Sequence, residues 1–405
     1  MGSCVIATDF KWTRGDSFRT IASAVILAAL LGIAYLLSTK EGASTAPISL
    51  LIGISLGIVL ERGRFCFYCI FRDGIEDKNT TGLLSVFAAI AAGAIGYAIV
   101  FGQFLPNTST DRLPPLAHIG PASIPLALGA FLFGIGMALS GACISGHLYR
   151  IGQGYLRAIP ALIGTLAGFA IAFVVWNPIY LNFISDSPTI WLPHNFGYAG
   201  SLILTLVVVT ILAALAIKKG VNSDPISGER SLKISLRSIH QKLIMERWNP
   251  LVTGGLVGAI GTIAYLRVEP LGVTRQISTT TRTLSLDNGI GPETLNGLDK
   301  MAGCIAVVSE VITNNGWLVL GLIGASLAVA IAGNRFKISA ITPVNASTAL
   351  IGGIFLGFGS MISLGCTIGV LLSGTQAFAL SGWIFFASVF LGVWTGIKLK
   401  LHKLG

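Results

Sequence analysis

The sequence predicts an all-α integral membrane protein of about ten apolar segments in two inverted repeats, some of them short, broken or re-entrant. Three observations lead there. Of 405 residues, 53% are hydrophobic and only 11% are charged, whereas soluble domains carry about 25% charged residues. Several apolar runs, among them Ile21 to Leu37, Gly82 to Phe104, Ser201 to Ile217 and Trp383 to Ile397, have the length and polarity of bilayer-spanning helices. The third observation is an internal repeat. Gly129, Gly134, Gly136, Ser140, Cys143 and Gly146 recur 223 residues later as Gly352, Gly357, Gly359, Ser363, Cys366 and Gly369, and Gln153 and Gln376 extend the match.

In chain order the apolar segments centre near residues 28, 54, 93, 134, 167, 208, 258, 324, 359 and 390. The first follows Lys11, Arg14 and Arg19 and lacks a clear cleavage site, so it reads as a retained helix. Four units follow from this spacing: a tail and extra helix over 1–45, repeat one over 46–177, a connecting helix and basic loop over 178–249, and repeat two over 250–405. The segments near 54 and 258 are short and glycine-rich enough to dip in and return. From one repeat to the next is five crossings, and an odd step inverts the second copy relative to the first. Polar connections are expected at Pro106 to Pro125 and Asn177 to His194. The long stretch from Arg267 to Asn315 reads as a surface excursion with room for a short helix, capping one face in part.

Charge sets the orientation. With the N-terminus in the cytoplasm, cytoplasmic pieces hold 21 of the 27 Lys and Arg residues, and the outer loops hold six. This is the positive-inside bias. It predicts a multi-pass protein of a bacterial or archaeal cytoplasmic (inner) membrane, with both termini in the cytoplasm. The net charge of +10 then serves orientation and contact with anionic membrane lipid, and nucleic acid is not an expected partner. No Walker-type string is present, so ATP hydrolysis is not expected.

Scattered glycines such as Gly93, Gly96, Gly164 and Gly168 suit close helix packing. The clusters from Ser140 to Gly146 and from Ser363 to Gly369 are different, because each joins small residues, a hydroxyl and a thiol over two turns. They are candidates for broken helices lining a cavity. Their cysteines, Cys143 and Cys366, are the first candidate site residues. Ser140, Gly141, Gly146, Arg150 and Gln153 support one cluster, and Ser363, Gly365, Gly369 and Gln376 support the other.

A third cysteine, Cys66, lies in Glu61 to Asp73, where Arg64 and its neighbours flank the membrane core. Charged groups there are costly and often functional, although interfacial arginines that snorkel account for them equally well. Cys69 completes a Cys-x-x-Cys. A structural zinc site needs about four ligands and the sequence offers no second pair, so neither a metal nor a cofactor is expected. Cys4 and Cys304 are assigned no role.

Arg62-Gly63-Arg64-Phe65-Cys66 with Phe71-Arg72-Asp73 resembles the first signature of the YeeE/YedE family of sulfur-compound transporters. Gly141 to Gly146 with Tyr149-Arg150 and Gly152-Gln153-Gly154 resembles its second. Gly359, Gly365-Cys366 and Ser373-Gly374 resemble its third. The resemblance runs from about residue 50 to the C-terminus. It implies a membrane permease for thiosulfate or a related sulfur or selenium compound, working cysteines at Cys66, Cys143 and Cys366, and a small cytoplasmic sulfur-carrier protein as partner. The chain departs from the pattern at Cys69, where a small non-thiol residue is expected. Repeat two also opens without an Arg-Phe-Cys counterpart, and the extra first span and long outer stretch look more like the YedE branch.

Physical chemistry fits that implication. Thiosulfate is a dianion with one soft sulfur, and stripping its water without donors is prohibitive. A thiol in apolar surroundings stays protonated and offers a weak S–H donor without repelling an anion. Helix N-termini add partial positive charge. Weak donors in series suit conduction, since each must hold the ion and release it. The expected function is therefore a non-covalent relay between neutral thiols. Two rivals use the same residues: a sulfurtransferase carrying a cysteine persulfide, and a thiol-based redox sensor using Cys66 and Cys69. The persulfide route needs a thiolate, and the only nearby base is His147, which repeat two replaces with Val370.

Overall fold

A computed structural model describes residues 14–39, 45–110, 112–220, 244–298, 308–309 and 311–404. Cys4 and Cys304 lie outside the described residues. Ten of its helices or helix pairs are long and apolar enough to cross a membrane. In order they are α1 (Arg14–Ser38), α2 (Ala46–Gly63) followed by the short α3 (Phe67–Glu76), and α4 (Thr81–Phe104). Next come α5 (Ile124–Ser140) with the short α6 (Ile144–Gly152), α7 (Ala158–Ile179) and α8 (Leu192–Lys219). The second half holds α9 (Pro250–Arg267), the non-spanning α10 (Arg275–Asp287), α11 (Asn314–Ala332), α12 (Pro343–Ile362), the short π-helical α13 (Thr367–Gly374) and α14 (Leu380–Lys398). No strand occurs among the described residues; Trp191 and Ala379 form a single isolated bridge. The chain is an all-α multi-pass membrane protein.

Local sequence sets several of these starts. The Ser123 side chain accepts from Leu126 N–H ahead of α5, Asn249 accepts from Leu251 N–H ahead of α9, and Thr342 accepts from Asn345 N–H ahead of α12. Each is followed within two residues by a proline in the first turn. A capping oxygen satisfies an otherwise orphaned N–H, and proline supplies the helical φ where no N–H is needed.

Helix contacts follow a pattern. In the core, α2 packs on α11 and α4 on α9, α5 packs on α14 and α7 on α12, and α5 meets α12 directly. Lesser contacts join α3 to α14 and α10 to α7, and α2 to α9. Exchanging α2–α7 for α9–α14, in order, leaves these pairs unchanged. α1 and α8 sit at the periphery with exposed apolar side chains such as Val25, Tyr35, Ile203 and Ile211, the surface a bilayer would cover.

The repeated glycines are packing residues. A Cβ on Gly129, Gly136, Gly352 or Gly359 would come within 3.0 Å of the backbone of the facing helix across the α5–α12 contact. Gly134 faces the α14 backbone at Val389 and Gly392, and Gly357 faces the α7 backbone at Thr165. Small residues allow backbones to approach this closely inside a membrane.

The expected excursion after Arg267 is more than a surface loop. α10 buries the hydroxyl-rich face of Ser278, Thr279, Thr281 and Ser285, and it packs on α7. Arg282 donates to the carbonyls of Pro292 and Glu293, while Leu295 and Leu298 join Phe169, Phe173 and Trp176 in one apolar cluster. The connection expected at Asn177 to His194 begins as a helical continuation, with a π turn at Tyr180–Ile184. The side chains of Trp176 and Asn177 hold it by bonding the backbone at Thr294 and Asn296.

Candidate functional site

Three helix breaks share one geometry. Arg64 (φ 52°), Gly141 (φ 85°) and Leu364 (φ 61°) each adopt a left-handed backbone. Two residues on, Cys66, Cys143 and Cys366 stand as the N-caps of α3, α6 and α13. The 223-residue repeat maps Gly141 onto Leu364, so the second turn keeps its conformation without its glycine. A non-glycine residue there costs about 1–2 kcal/mol, and backbone strain of this kind concentrates at functional sites. The serines before each repeated break stabilise it alike: the Ser140 hydroxyl donates to Ala142 C=O at 3.1 Å and that of Ser363 to Gly365 C=O at 3.3 Å.

The cysteines are buried, with exposures of 0% for Cys66 and Cys143 and 1% for Cys366, and the three belong to one apolar cluster. The sulfurs of Cys66 and Cys143 are 4.0 Å apart. Cys143 Sγ lies 3.3 Å from Ser145 Oγ and accepts from Gly146 N–H at 3.4 Å. Gly146 leaves the space both thiols need, since a Cβ there would be 2.8 Å from Cys66 Sγ and 3.4 Å from Cys143 Sγ. Around them pack the rings of Phe65 and Phe67, edge to face at 5.3 Å. Cys69 follows Cys66 by three residues, on α3, which Cys66 caps, and Arg150 Nη2 donates to Cys69 Sγ at 2.9 Å. Cys69 thus joins the first motif to the Arg150 guanidinium of the second, whereas the sequence offered it a part only in the redox-sensor reading.

The remaining expected residues divide into two groups. Gly369 is buried one turn into α13, after Cys366, and Gly365 lies in the turn itself. Arg150 bonds Gly141 C=O at 2.9 Å and so fastens the break. Gln153 and Gln376 act as ties: Gln153 donates to Glu61 at 3.3 Å and Gln376 to Ala89 C=O at 2.9 Å. The Arg64 side chain is exposed, and its backbone makes the turn.

Long-range polar contacts that local sequence does not signal frame both ends. On the face carrying Arg150, fully buried Glu61 meets Arg335 through both oxygens, at 2.7 and 2.9 Å. On the opposite face, one cavity is lined by His118, Glu269, Gly272, Arg275 and Asn315. A second, also lined by His118, reaches Ser363, Leu364 and Val370 around the Cys366 turn. Glu269 is ion-paired with Arg275. Burial pushes its carboxyl up despite Arg275, and burial lowers His118 to about 4.

Neither nitrogen of His147 has a hydrogen-bond partner, so His147 is not hydrogen-bonded to the Cys143 thiol.

The chain is similar to proteins named as transporters. The thiosulfate transporter TsuA of Escherichia coli (strain K12) is 28% identical over 350 residues, covering 85% of this chain and 92% of that protein. TsuA of Spirochaeta thermophila is 29% identical over 368 residues, covering 85% and 96%. The probable transporter YedE of Escherichia coli matches at 26% over only 40% of this chain. The longer matches therefore lie with the TsuA proteins, despite the YedE-like look of the first span and outer stretch. A family model described as sulphur transport matches residues 62–395, a stretch that holds all three helix breaks. The chain belongs to the sulphur-transport family and is a membrane transporter rather than an enzyme.

Proposed function

We propose that this chain imports thiosulfate through a passage between two inverted repeats, with buried thiols as successive soft contacts and no covalent bond to the cargo. The observation that carries the reading is the pair of neighbouring N-caps, Cys66 and Cys143, with sulfurs 4.0 Å apart and buried. N-terminal peptide groups attract negative charge, and thiols offer weak S–H donation to a sulfur anion. The interchange of helix contacts between the two halves supports inverted repeats. The similarity to TsuA proteins along most of the chain supports thiosulfate as cargo.

The face with Arg150 and Arg335 is assigned to the cytoplasm by the positive-inside rule, which puts both termini there in an inner membrane. The anion enters past His118 and Arg275, passes the Cys366 turn, then meets Cys143, Cys66 and Cys69. A small cytoplasmic sulfur carrier receives it. Uptake of labelled thiosulfate into vesicles tests the reading, with sulfate and selenium analogues as competitors. Wild-type protein is expected to accumulate the label, and Cys143→Ala and Cys366→Ala to lose at least nine-tenths of the rate at normal abundance. Normal uptake by both variants, or competition by sulfate as strong as by unlabelled thiosulfate, would overturn it.

A further inference from the structure

We propose that Arg150, Arg157 and His147 form an oxyanion-holding station where the thiol run ends, an assignment that builds on the transport reading above. All three surround the α5–α6 break. Arg150 Nη1 bonds Gly141 C=O and its Nη2 bonds Cys69. Arg157, eleven residues before Gly168 and just ahead of α7, donates to Leu139 C=O at 2.8 Å and to Thr348 Oγ1 at 3.2 Å. Its Nη1 lies 3.8 Å from where a Gly141 Cβ would be. His147 stands one helical turn before Arg150 on α6, hence on the same side of that helix.

Two features of the trio call for a ligand. Neither arginine meets a carboxylate within 4.0 Å among the described residues; Glu61, which Gln153 reaches, is engaged by Arg335. His147 is 1% exposed with both ring nitrogens unpartnered, and Arg157 Nε is likewise buried and unpartnered. Buried polar groups are nearly always satisfied, and an exception needs a cause such as a missing ion. Two guanidiniums, an imidazole and no acid describe a seat for the oxygens of a tetrahedral sulfur dianion. Guanidinium forks match such oxygens in geometry and charge. Both arginines are partly exposed, whereas His147 is buried, so the seat lies between the buried thiols and the surface.

The two mouths then differ in kind. At the opposite face Arg275 is neutralised by Glu269, whereas this end keeps its positive charge for the anion. Thiols read the soft sulfur, and this station reads the oxygens. Sulfate, whose four outer atoms are all oxygen, binds here but does not progress along the thiols.

Equilibrium binding of labelled thiosulfate and of sulfate to detergent-purified protein tests the station, alongside the melting temperature of each variant. Arg157→Gln and His147→Ala are expected to weaken both anions at least tenfold, and Arg157→Lys by less than threefold. Cys143→Ala is expected to weaken thiosulfate while leaving sulfate unchanged. Wild-type affinity for both anions in His147→Ala would overturn the assignment. That variant removes no hydrogen bond, so it decides the matter if Arg157→Gln fails to fold. If vesicles do not accumulate thiosulfate yet the purified protein binds sulfate through Arg157 and His147, the transport reading fails and the station stands. If uptake proceeds and both variants bind normally, the station alone fails.

Discussion

Substituting Gly146 by alanine adds one methyl group between two sulfurs. The new Cβ would stand 2.8 Å from Cys66 Sγ, 3.1 Å from Ala142 Cβ and 3.4 Å from Cys143 Sγ. Non-bonded heavy atoms settle about 3.5–4.0 Å apart, so the Cys66 thiol must retreat by roughly 1 Å. Overpacking of this kind costs about 1–3 kcal/mol. Gly146 lies within α6, where alanine returns about 1 kcal/mol through helix propensity. The net change in stability is therefore small, and the disturbance falls on the sulfur pair. Since about 1.4 kcal/mol is tenfold in a population or rate, Gly146→Ala is expected to lower initial thiosulfate uptake about tenfold or more. Its melting temperature should stay within a few degrees of wild type. Vesicle uptake paired with thermal unfolding checks both halves. Full uptake with unchanged melting would refute the thiol pair as part of the passage.

Cys69→Ser should reduce uptake less than Cys143→Ala, because serine keeps a donor and an acceptor beside Arg150; uptake rates of the two variants at matched abundance decide it. Uptake should rise as external pH is lowered from neutral. Glu269, already raised by burial, takes a proton earlier than an ordinary glutamate and leaves Arg275 unopposed, while His118, at about 4, stays uncharged until the pH nears that value. In vesicles with the internal pH clamped, Glu269→Gln should uptake at the higher rate throughout and show a flat profile. Glu61→Ala strands Arg335 in a half-buried position and should cost about 3–5 kcal/mol, seen as a lower melting temperature in detergent with or without thiosulfate.

The ten spans and the polar links between them were legible because apolar length and glycine or proline punctuation are local signals. The repeat was legible as well, but its meaning was split. Its glycines hold helices together, and only Ser140, Cys143 and Gly146 with their counterparts shape the breaks. The left-handed turn at Leu364 carries no local mark, since leucine is a poor guide to positive φ; the match to Gly141 was the one available signal. Glu61 meets Arg335 across 274 residues, and Arg157 reaches Thr348 across 191. Pairings of that kind come from tertiary packing and have no periodicity to betray them. Cys69 drew notice only as half of a Cys-x-x-Cys, whereas its contact with Arg150 ties it to the second motif.

Between α5 and α12 the two halves touch main chain to main chain. Side chains at an ordinary helix seam can re-sort into an alternative register, and rocking transporters depend on such seams. Here a displacement of one turn would drive bulkier neighbours, such as Phe133 or Phe355, into carbonyl groups. The midline therefore behaves as a weld, a seam along which one helix cannot slide past the other.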